Sequence, residues 1–324
     1  MLPAVPFRVA QLPHVMLIEV AGSDAAKVVN NMSTNDVLKL PVDGGLETFI
    51  TDVRGWVVAH VGVVKTQASV WLIGWHPEPQ AVCKHLDRYI IREQAQVHDR
   101  SAEHALLLVA PALPEVSDAS GAAVPGEQPP RSVDLAVPAV DLDGLPEPLL
   151  RCLLPVLGQG GLVLCYPKEQ LPAVLEVCQQ QAGVICDAQQ AQWSRISSFW
   201  PLAPADISDK TLPQELDRDA RAISFTKGCY LGQETIARLD ARGQLQKKLC
   251  LLELAPSDSA LELAPGDAVL SGDKPVGVLT SVARQPNGGT WRALATLRRG
   301  HFAPGTPLLC HSQPARVLSP DRLS

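Results

Sequence analysis

One ten-residue segment combines residue types that support covalent chemistry. Residues 225–234 read Phe-Thr-Lys-Gly-Cys-Tyr-Leu-Gly-Gln-Glu, so that Cys229 follows Lys227 by two residues and lies between Gly228 and Gly232. The sequence predicts a tight turn ending at Gly232 and a helix over 233–239. A helix N-terminus and a nearby cation both favour the thiolate, which is the nucleophilic form of a cysteine. Cys229 is therefore a candidate redox or functional thiol; a glycine-bracketed loop around a buried structural cysteine is the alternative, and both stay open.

The same region is basic within an acidic chain. Residues 218–248 hold seven basic and three acidic side chains, a local charge of +4 in a chain of net charge −6. Such a strip suits an anionic ligand of modest size, and a solvated helix face is the competing interpretation. Carboxylate is favoured over phosphate because no glycine pattern of a phosphate-binding loop follows a predicted strand. The basic residues are Arg218, Arg221, Lys227, Arg238, Arg242, Lys247 and Lys248.

Cysteine and histidine spacing does not indicate a metal site. The chain has eight cysteines, none in a CxxC pair, and eight scattered histidines. Only Cys83 and His85 lie close together, on a predicted helix where packing is the simpler explanation. We expect reduced thiols, mostly buried as small apolar residues, and no metal bound by the chain alone.

Alternating strands and helices must position the segment. A helix over 24–32 with Ser23 as its N-cap precedes strands at 46–50, 56–64 and 70–73, and Pro79 opens a second helix. Eight of the 28 prolines fall in 111–148, which predicts a long connection. A strand at 162–166, a helix over 168–181 stopped by Gly183 and a helix capped by Asp187 follow. This alternation predicts two α+β lobes.

The C-terminal region has a different pattern. Short strand candidates at 249–254, 268–270, 276–283, 291–297 and 308–310 are separated by glycine-containing turns. Short strands at this spacing predict a small β-barrel or sandwich.

Composition bounds the class of protein. Apolar residues make up 46% and charged residues 19% of the 324, which permits a sizeable core. The acidic balance disfavours general DNA binding, and no apolar run reaches the roughly 18–20 residues needed to span a bilayer. The N-terminus has no recognisable signal peptide. We expect a cytoplasmic protein with no DNA or membrane partner.

The segment around Cys229 also resembles a known signature. The sequence from Lys227 to Glu234, Lys-Gly-Cys-Tyr-x-Gly-Gln-Glu, is similar to that of the YgfZ-type folate-binding proteins, relatives of the glycine-cleavage T-protein, an aminomethyltransferase. Further matches follow in order along the chain, which makes the resemblance nearly complete and weakest across 111–160. They are Gly22-Ser23-Asp24-Ala25, Thr34-Asn35-Asp36-Val37, Arg195-Ile196, Leu212-Pro213-Gln214-Glu215, Ala237-Arg238-Leu239 with Arg242-Gly243, Val276-Gly277 with Thr280-Ser281, and Ala293-Leu294-Ala295.

The resemblance implies a fold and a function. The fold is α+β, with two ferredoxin-like lobes around a central hole and a C-terminal β-barrel. Residues 1–243 form the two-lobed region, with one lobe roughly 1–50 plus 150–243 and the other 51–149, and residues 244–324 form the barrel. The implied function is that of a tetrahydrofolate-binding accessory protein for the assembly or repair of iron–sulfur clusters. Its partners are iron–sulfur enzymes or assembly factors, with tRNA affected only indirectly through enzymes that modify it.

The resemblance also implies folate contacts. We expect Lys227, Arg238 and Arg242 to pair with the anionic glutamyl tail, and Tyr230 or a tryptophan to stack on the pterin. The implied binding set is completed by Gly228, Gly232, Gln233, Glu234, Asn35, Asp36 and Arg195.

Three positions depart from the transferases of this superfamily. Residues 72–79 show no counterpart of their catalytic Asp. Ser197 stands where an acidic residue reads the pterin, and Phe199 replaces a glycine. Whether this chain is an enzyme stays open for that reason.

Two other functions compete with the accessory role. The first is a folate-dependent one-carbon transferase or demethylase, with Asp36, Asp52 or Glu234 as its acid. The second is direct tRNA contact through the 218–248 strip, which the acidic total and the lack of an aromatic platform disfavour.

Overall fold

A computed structural model describes residues 7–111, 144–181, 183–254, 262–286 and 288–319, without the side chain of Arg242. The predicted proline-rich connection lies largely in 112–143, outside the described residues.

Within the described part, strands and helices alternate through the first two hundred residues and strands dominate thereafter. In chain order the elements are β1 (Phe7–Ala10), β2 (Val15–Ala21), α1 (Ala25–Met32), β3 (Gly45–Thr51), β4 (Val57–Lys65), β5 (Ser69–Trp75), α2 (Pro79–Asp87), β6 (Gln96–Asp99), β7 (His104–Pro111), β8 (Leu150–Leu153), β9 (Leu162–Pro167), α3 (Leu171–Gln180), β10 (Gly183–Ile185), α4 (Ala188–Ser197), α5 (Asp219–Ala222), α6 (Gln233–Arg242), β11 (Lys247–Leu254), β12 (Ala268–Ser271), β13 (Lys274–Arg284), β14 (Trp291–Arg298), β15 (Pro307–Cys310) and β16 (Gln313–Leu318).

Two five-stranded sheets form the lobes. One sheet has the order β3-β4-β5-β2-β6 and the other β10-β1-β7-β9-β8. Every residue of β5 is buried, as expected for the middle strand of a sheet covered on both faces. Helix α1 packs on this lobe through Ala25, Val28, Val29 and Met32, whose spacing places them on one helical face.

The lobes divide at other residues than expected. The first sheet takes its strands from 15–99, and the second combines β1 with strands between 104 and 185. The expected break at residue 50 falls inside β3, one strand of a sheet that continues through β4. Strand propensity could not correct the division that the resemblance implied, because it does not say which strands pair.

The closed barrel is confirmed. Its strands follow the order β11-β14-β13-β12-β15-β16. Five of the six strands were expected, and β16 was missed. Alternate residues of β16 are buried, namely Gln313, Ala315 and Val317, but the polar Gln313 at a buried position and Pro314 at an exposed one concealed the strand in the sequence.

Helix ends show where local signals succeeded and failed. Asp187 caps α4 as expected, because its carboxylate accepts from Gln190 N at 2.8 Å. The N-cap of α1 is Asp24 and not Ser23, and the Asp24 carboxylate instead accepts from Gln94 N at 2.7 Å. Gly183 does not stop α3 but begins β10, where a Cβ would lie 2.6 Å from the carbonyl oxygen of Cys178.

One hydrophobic cluster joins the lobes to the barrel. It includes Phe49 of β3, Trp193 of α4, Tyr230, Ile236 of α6 and Leu251 of β11. The 225–234 segment is therefore fixed where both parts of the molecule meet. In the part of the chain that the structure describes, no helix is long and apolar enough to cross a membrane.

Candidate functional site

Lys227 anchors the segment that carries Cys229. Its side chain is 7% exposed and crosses to the end of α1. There Nζ donates to three backbone carbonyl oxygens, those of Asn30 at 2.7 Å, Ser33 at 2.7 Å and Asn35 at 2.8 Å. The last carbonyls of a helix lack intrahelical partners and carry the negative end of its dipole, so that an ammonium group is favourable there. All three N–H bonds of Lys227 are therefore used within the protein.

The aromatic neighbour of this lysine is equally fixed. Lys227 Nζ lies 4.9 Å from the ring centroid of Tyr230, within cation–π range. Tyr230 is 9% exposed. Burial lowers the pKa of Lys227 to about 7, partly opposed by the charge of Asp36, and raises the pKa of Tyr230 to about 12. Both side chains belong to the packed interior.

Gly232 is required by close backbone packing. Its φ is +78°, and a Cβ there would lie 2.4 Å from the carbonyl oxygen of Asp52 and 2.5 Å from Cα of Gly55. The β3–β4 hairpin tip thus presses directly on the turn before α6. Thr51 Oγ1 adds a hydrogen bond of 2.8 Å to the carbonyl oxygen of Leu231.

Cys229 lies on the outer side of this anchored turn. It is exposed, whereas six of the other seven cysteines are buried and Cys186 is half-buried. Burial raises the pKa of each of those seven thiols, to about 12 for Cys152, Cys165 and Cys250. High pKa values keep thiols protonated and inert at neutral pH. The alternative of a buried structural Cys229 is therefore wrong, although its predicted cationic neighbour, Lys227, points into the protein.

Gly228 differs from Gly232. A Cβ at Gly228 would meet no heavy atom within 4 Å, and the backbone is outside the left-handed region. Nothing in the described fold therefore requires a glycine beside Cys229. The open space leaves the thiol accessible from this side.

Asn35 and Asp36 support the turn from the lobe. Asn35 Nδ2 donates to the carbonyl oxygens of Glu47 and Arg221, each at 2.9 Å. The Asp36 carboxylate pairs with Lys39 at 3.0 Å. Burial tends to raise the pKa of Asp36, but hydrogen bonds and charge from Lys39 bring it below its ordinary value.

Arg195 joins α4 to the barrel. Its guanidinium pairs with Asp206 at 2.9 Å and donates to the carbonyl oxygen of Trp200 at 2.7 Å. The other oxygen of Asp206 accepts from the β13 hydroxyls of Thr280 at 2.6 Å and Ser281 at 2.8 Å. Arg195 and Asp206 are both buried. This pair therefore stabilises the junction between the lobes and the barrel.

The remaining predicted site residues lie on α6. Gln233 is half-buried, and Glu234 and Arg238 are exposed in the first two turns. Arg242 is the last residue of the helix, and its side chain lies outside the described residues. Helix α6 is three residues longer than expected at its C-terminus and ends before Gly243, which adopts φ +60°.

The basic strip is mostly paired internally. Besides Lys227, Arg218 binds Glu47, Lys248 binds Asp217 at 2.8 Å, and Lys247 approaches Glu215 at 3.4 Å. The local excess of +4 therefore does not form a continuous cationic surface, which removes the main support for tRNA contact through 218–248.

Sequence reasoning missed a buried charged cluster. Arg218 donates two hydrogen bonds to Glu47, and its guanidinium lies 4.7 Å from the ring centroid of Trp200. His60 Nε2 donates to Glu47 at 2.8 Å. Burial would raise the pKa of Glu47, but Arg218 and His60 hold it well below its usual range, and burial keeps His60 neutral by lowering its pKa. The signal that the sequence offered was Glu47, a charged residue within the mostly apolar stretch 46–50.

Two further polar groups have surroundings that the sequence did not reveal. Asp219 Oδ1 and Ser197 Oγ are buried without a hydrogen-bond partner in the described part of the chain. Burial and the charges of Asp217 and Asp240 raise the pKa of Asp219 to about 6, and the charge of Lys248 opposes this shift.

Asp52 was one of the acids proposed for a transferase. Its carboxylate accepts hydrogen bonds from Arg54 N and Trp56 N, which marks it as a turn cap.

The implied folate contacts can be tested against these positions. Lys227 has no N–H left for a glutamyl tail, Tyr230 is packed beneath that lysine, and Arg195 is bonded to Asp206. Phe199, at φ +54°, is 3% exposed and adds its ring to the central cluster. The ligand set implied by the resemblance therefore does not fit a folate as assigned, and Glu234 and Arg238 are the described members with exposed polar groups.

Comparisons with known proteins agree with the signature and the fold. No family model matches the chain. The tRNA-modifying protein YgfZ of Colwellia psychrerythraea is 42% identical over 131 residues, 36% of this chain and 40% of that protein. That of Aliivibrio fischeri is 35% identical over 138 residues, 40% of each. The matched segments thus span about two fifths of these curated relatives.

A solved structure matches over a longer range. The glycine cleavage system aminomethyltransferase T of Bartonella henselae superposes with a TM-score of 0.74, covering 98% of this chain and 86% of that one, at 14% identity. The chain therefore has the glycine-cleavage T-protein fold, which confirms the expected fold class. Within that fold class, the signature segment and the matched sequence segments are similar to YgfZ-type proteins.

Proposed function

We propose that this chain is a cytoplasmic accessory protein for the assembly or repair of iron–sulfur enzymes, including enzymes that modify tRNA, and that Cys229 is the group through which it acts. The observation that carries the proposal is the exposure of this thiol on a turn that the protein fixes from both sides. Lys227 holds the turn two residues before the thiol, and Tyr230 is buried directly after it. The names of the YgfZ relatives support the connection to tRNA modification.

The thiol must act together with a partner. Clusters normally take four protein ligands, and the described residues contain no group of three or more His, Cys, Asp or Glu side chains placed to hold a metal ion. Cys229 would therefore contact the cluster or a cysteine of the client enzyme during assembly or repair.

The test compares variants in cells that lack the chain and depend on it for a tRNA-thiolating iron–sulfur enzyme. Thiolated nucleosides are measured by mass spectrometry after supply of wild type, Cys229→Ser or Cys186→Ser. We expect loss with Cys229→Ser and full support from Cys186→Ser, whose thiol is half-buried. Full support from Cys229→Ser at equal protein level would remove the thiol from the function.

Gly228→Ala refines the test. The added methyl group meets no atom of the described fold, so the protein should fold normally. If a client approaches the thiol from this side, the methyl group narrows its access and thiolation falls with Cys229 still present. Unchanged thiolation would mean that the client approaches from elsewhere.

A reduced folate is the second part of the proposal, supported by the fold shared with the aminomethyltransferase. Because Lys227 and Arg195 are committed internally, Arg238 is the described cation of the implied set that is left for the carboxylates of a folate. Calorimetric titration with tetrahydrofolate should show saturable binding to wild type that Arg238→Ala loses. Absent binding, or binding indifferent to Arg238, would contradict this part alone.

A further inference from the structure

A cavity of about 500 Å³ lies outside the signature segment. Its walls come from the β1–β2 turn, the β6–β7 turn and the start of α3. The lining residues are Gln11, Leu12, Pro13, His14, Val15, Ser101, His104, Ala105, Lys168 and Leu171. Small-molecule sites usually measure about 300–1,000 Å³, so the size is sufficient for a metabolite.

The titratable side chains that line the cavity are all basic. His14, His104 and Lys168 are cationic or become so on protonation, and no lining residue is a carboxylate. Glu103 and Glu169 are adjacent in sequence, but both are exposed and neither lines the cavity. Leu12 and Ala105, each 4% exposed, provide buried apolar wall. A ligand that matches this surface has an anionic group and an apolar body.

Hydrogen bonding leaves the cationic groups available. His104 Nδ1 lies 3.0 Å from the carbonyl oxygen of Arg100, which can only accept, so Nδ1 carries a hydrogen. Nε2 of His104 and Nζ of Lys168 have no hydrogen-bond or ion-pair partner among the described residues. Protonated, Nε2 donates its hydrogen to an anion. His14 is held in a left-handed turn by a bond of 2.8 Å from His76 N to its carbonyl oxygen.

We propose that this cavity binds a small molecule with a phosphate or carboxylate group on an apolar body, held by His104 Nε2 and Lys168 Nζ. The two groups reach the cavity from different parts of the chain, His104 from the start of β7 and Lys168 from the turn between β9 and α3. An anion bridging them makes charge-assisted hydrogen bonds to both. The site is independent of Cys229.

The experiment is calorimetric titration of the full chain with phenyl phosphate and with phenylacetate, which separate the two anionic groups. Benzyl alcohol is the neutral control. The variants are Lys168→Met and His104→Asn; the asparagine amide can keep the bond to the Arg100 carbonyl while losing the Nε2 position. Lys274→Met, at an exposed barrel turn, is the matched control.

We expect saturable binding of at least one anionic probe and about tenfold weaker binding in each site variant, the loss of one charge-assisted contact. Lys274→Met and Cys229→Ser should bind as wild type does. No saturation by either anion at millimolar concentration, equal binding of benzyl alcohol, or unchanged affinity in Lys168→Met would overturn the proposal. Lys168 is exposed, so its variant should fold even if His104→Asn does not.

Discussion

Replacing Lys227 by methionine tests whether the buried ammonium group of Lys227 stabilises or destabilises the folded protein. Methionine has a similar volume but donates no hydrogen bond, so the carbonyl oxygens of Asn30, Ser33 and Asn35 lose their bonds to Nζ. Asn30 keeps a bond of 3.5 Å from Ser33 N, and Asn35 keeps one of 3.2 Å from Val37 N. Each lost hydrogen bond costs about 1 kcal/mol, and an ammonium donates three such bonds whereas a neutral amine donates two, so this loss is about 2–3 kcal/mol. The substitution also removes a desolvated charge, and that gain depends on pH.

The pH dependence follows from the pKa of Lys227. The folded-state value of about 7 lies below the ordinary 10.5, so between these values the unfolded chain binds a proton that the folded chain has lost. Stability then rises with pH. Relative to Lys227→Met, wild type should gain roughly 3–4 kcal/mol between pH 7 and pH 10. The two proteins should have similar stability near pH 7, with wild type clearly more stable at pH 10.

Urea unfolding of both proteins at pH 7 and pH 10 measures this difference. Lys39→Met is the matched control, because its side chain is 75% exposed and its difference from wild type should change little over this range. A difference between wild type and Lys227→Met that stays constant from pH 7 to pH 10 would refute the reasoning. It would mean that the three carbonyls keep the ammonium charged in the folded protein throughout.

Three further predictions concern stability and are checked by urea unfolding. Gly232→Ala should cost at least about 2 kcal/mol through its left-handed backbone and its clash, whereas Gly228→Ala should cost less than about 0.5 kcal/mol; equal costs would contradict the distinction. Asp206→Ala should cost about 3–5 kcal/mol because Arg195 would be buried without its partner, and a small loss would mean that the junction tolerates an unpaired guanidinium. Asp219→Asn should stabilise by up to about 3 kcal/mol at pH 7, because the raised pKa of about 6 makes the charged form costly above that pH, and the gain should vanish near pH 4; a gain independent of pH would show another cause.

Much of the fold could be predicted because its signals are local. Strand propensity indicated β3, β4, β5 and most of the barrel, and the Asp187 cap located the start of α4. Strand pairing was not predictable, since β1 joins β7 and β10 from distant parts of the chain. The short edge strands β6, β8 and β10 carry too few residues for a clear pattern.

The sequence predicted which segment carries the candidate site but not how the side chains of the site are arranged. The signature located Cys229, and the structure exposes this thiol. Lys227 was expected to bind a ligand through its charge and Arg195 through the resemblance. Both instead have partners inside the protein that the sequence did not reveal, among them Asn30 for Lys227 and Asp206 for Arg195. The Glu47–His60–Arg218 cluster was missed for the same reason, as its members are separated by up to 171 residues.

The sequence by itself determined the segment that carries Cys229, the two α+β lobes, the barrel and the resemblance to YgfZ-type proteins. These features follow from residue types that lie close together in the chain, and side-chain chemistry and secondary-structure propensity are sufficient to predict them. The tertiary structure alone decided which charges face solvent. A cation meets its partner only after folding, so Arg218 and Lys227 of the strip became internal anchors, and Cys229 was left exposed on the turn that Lys227 holds.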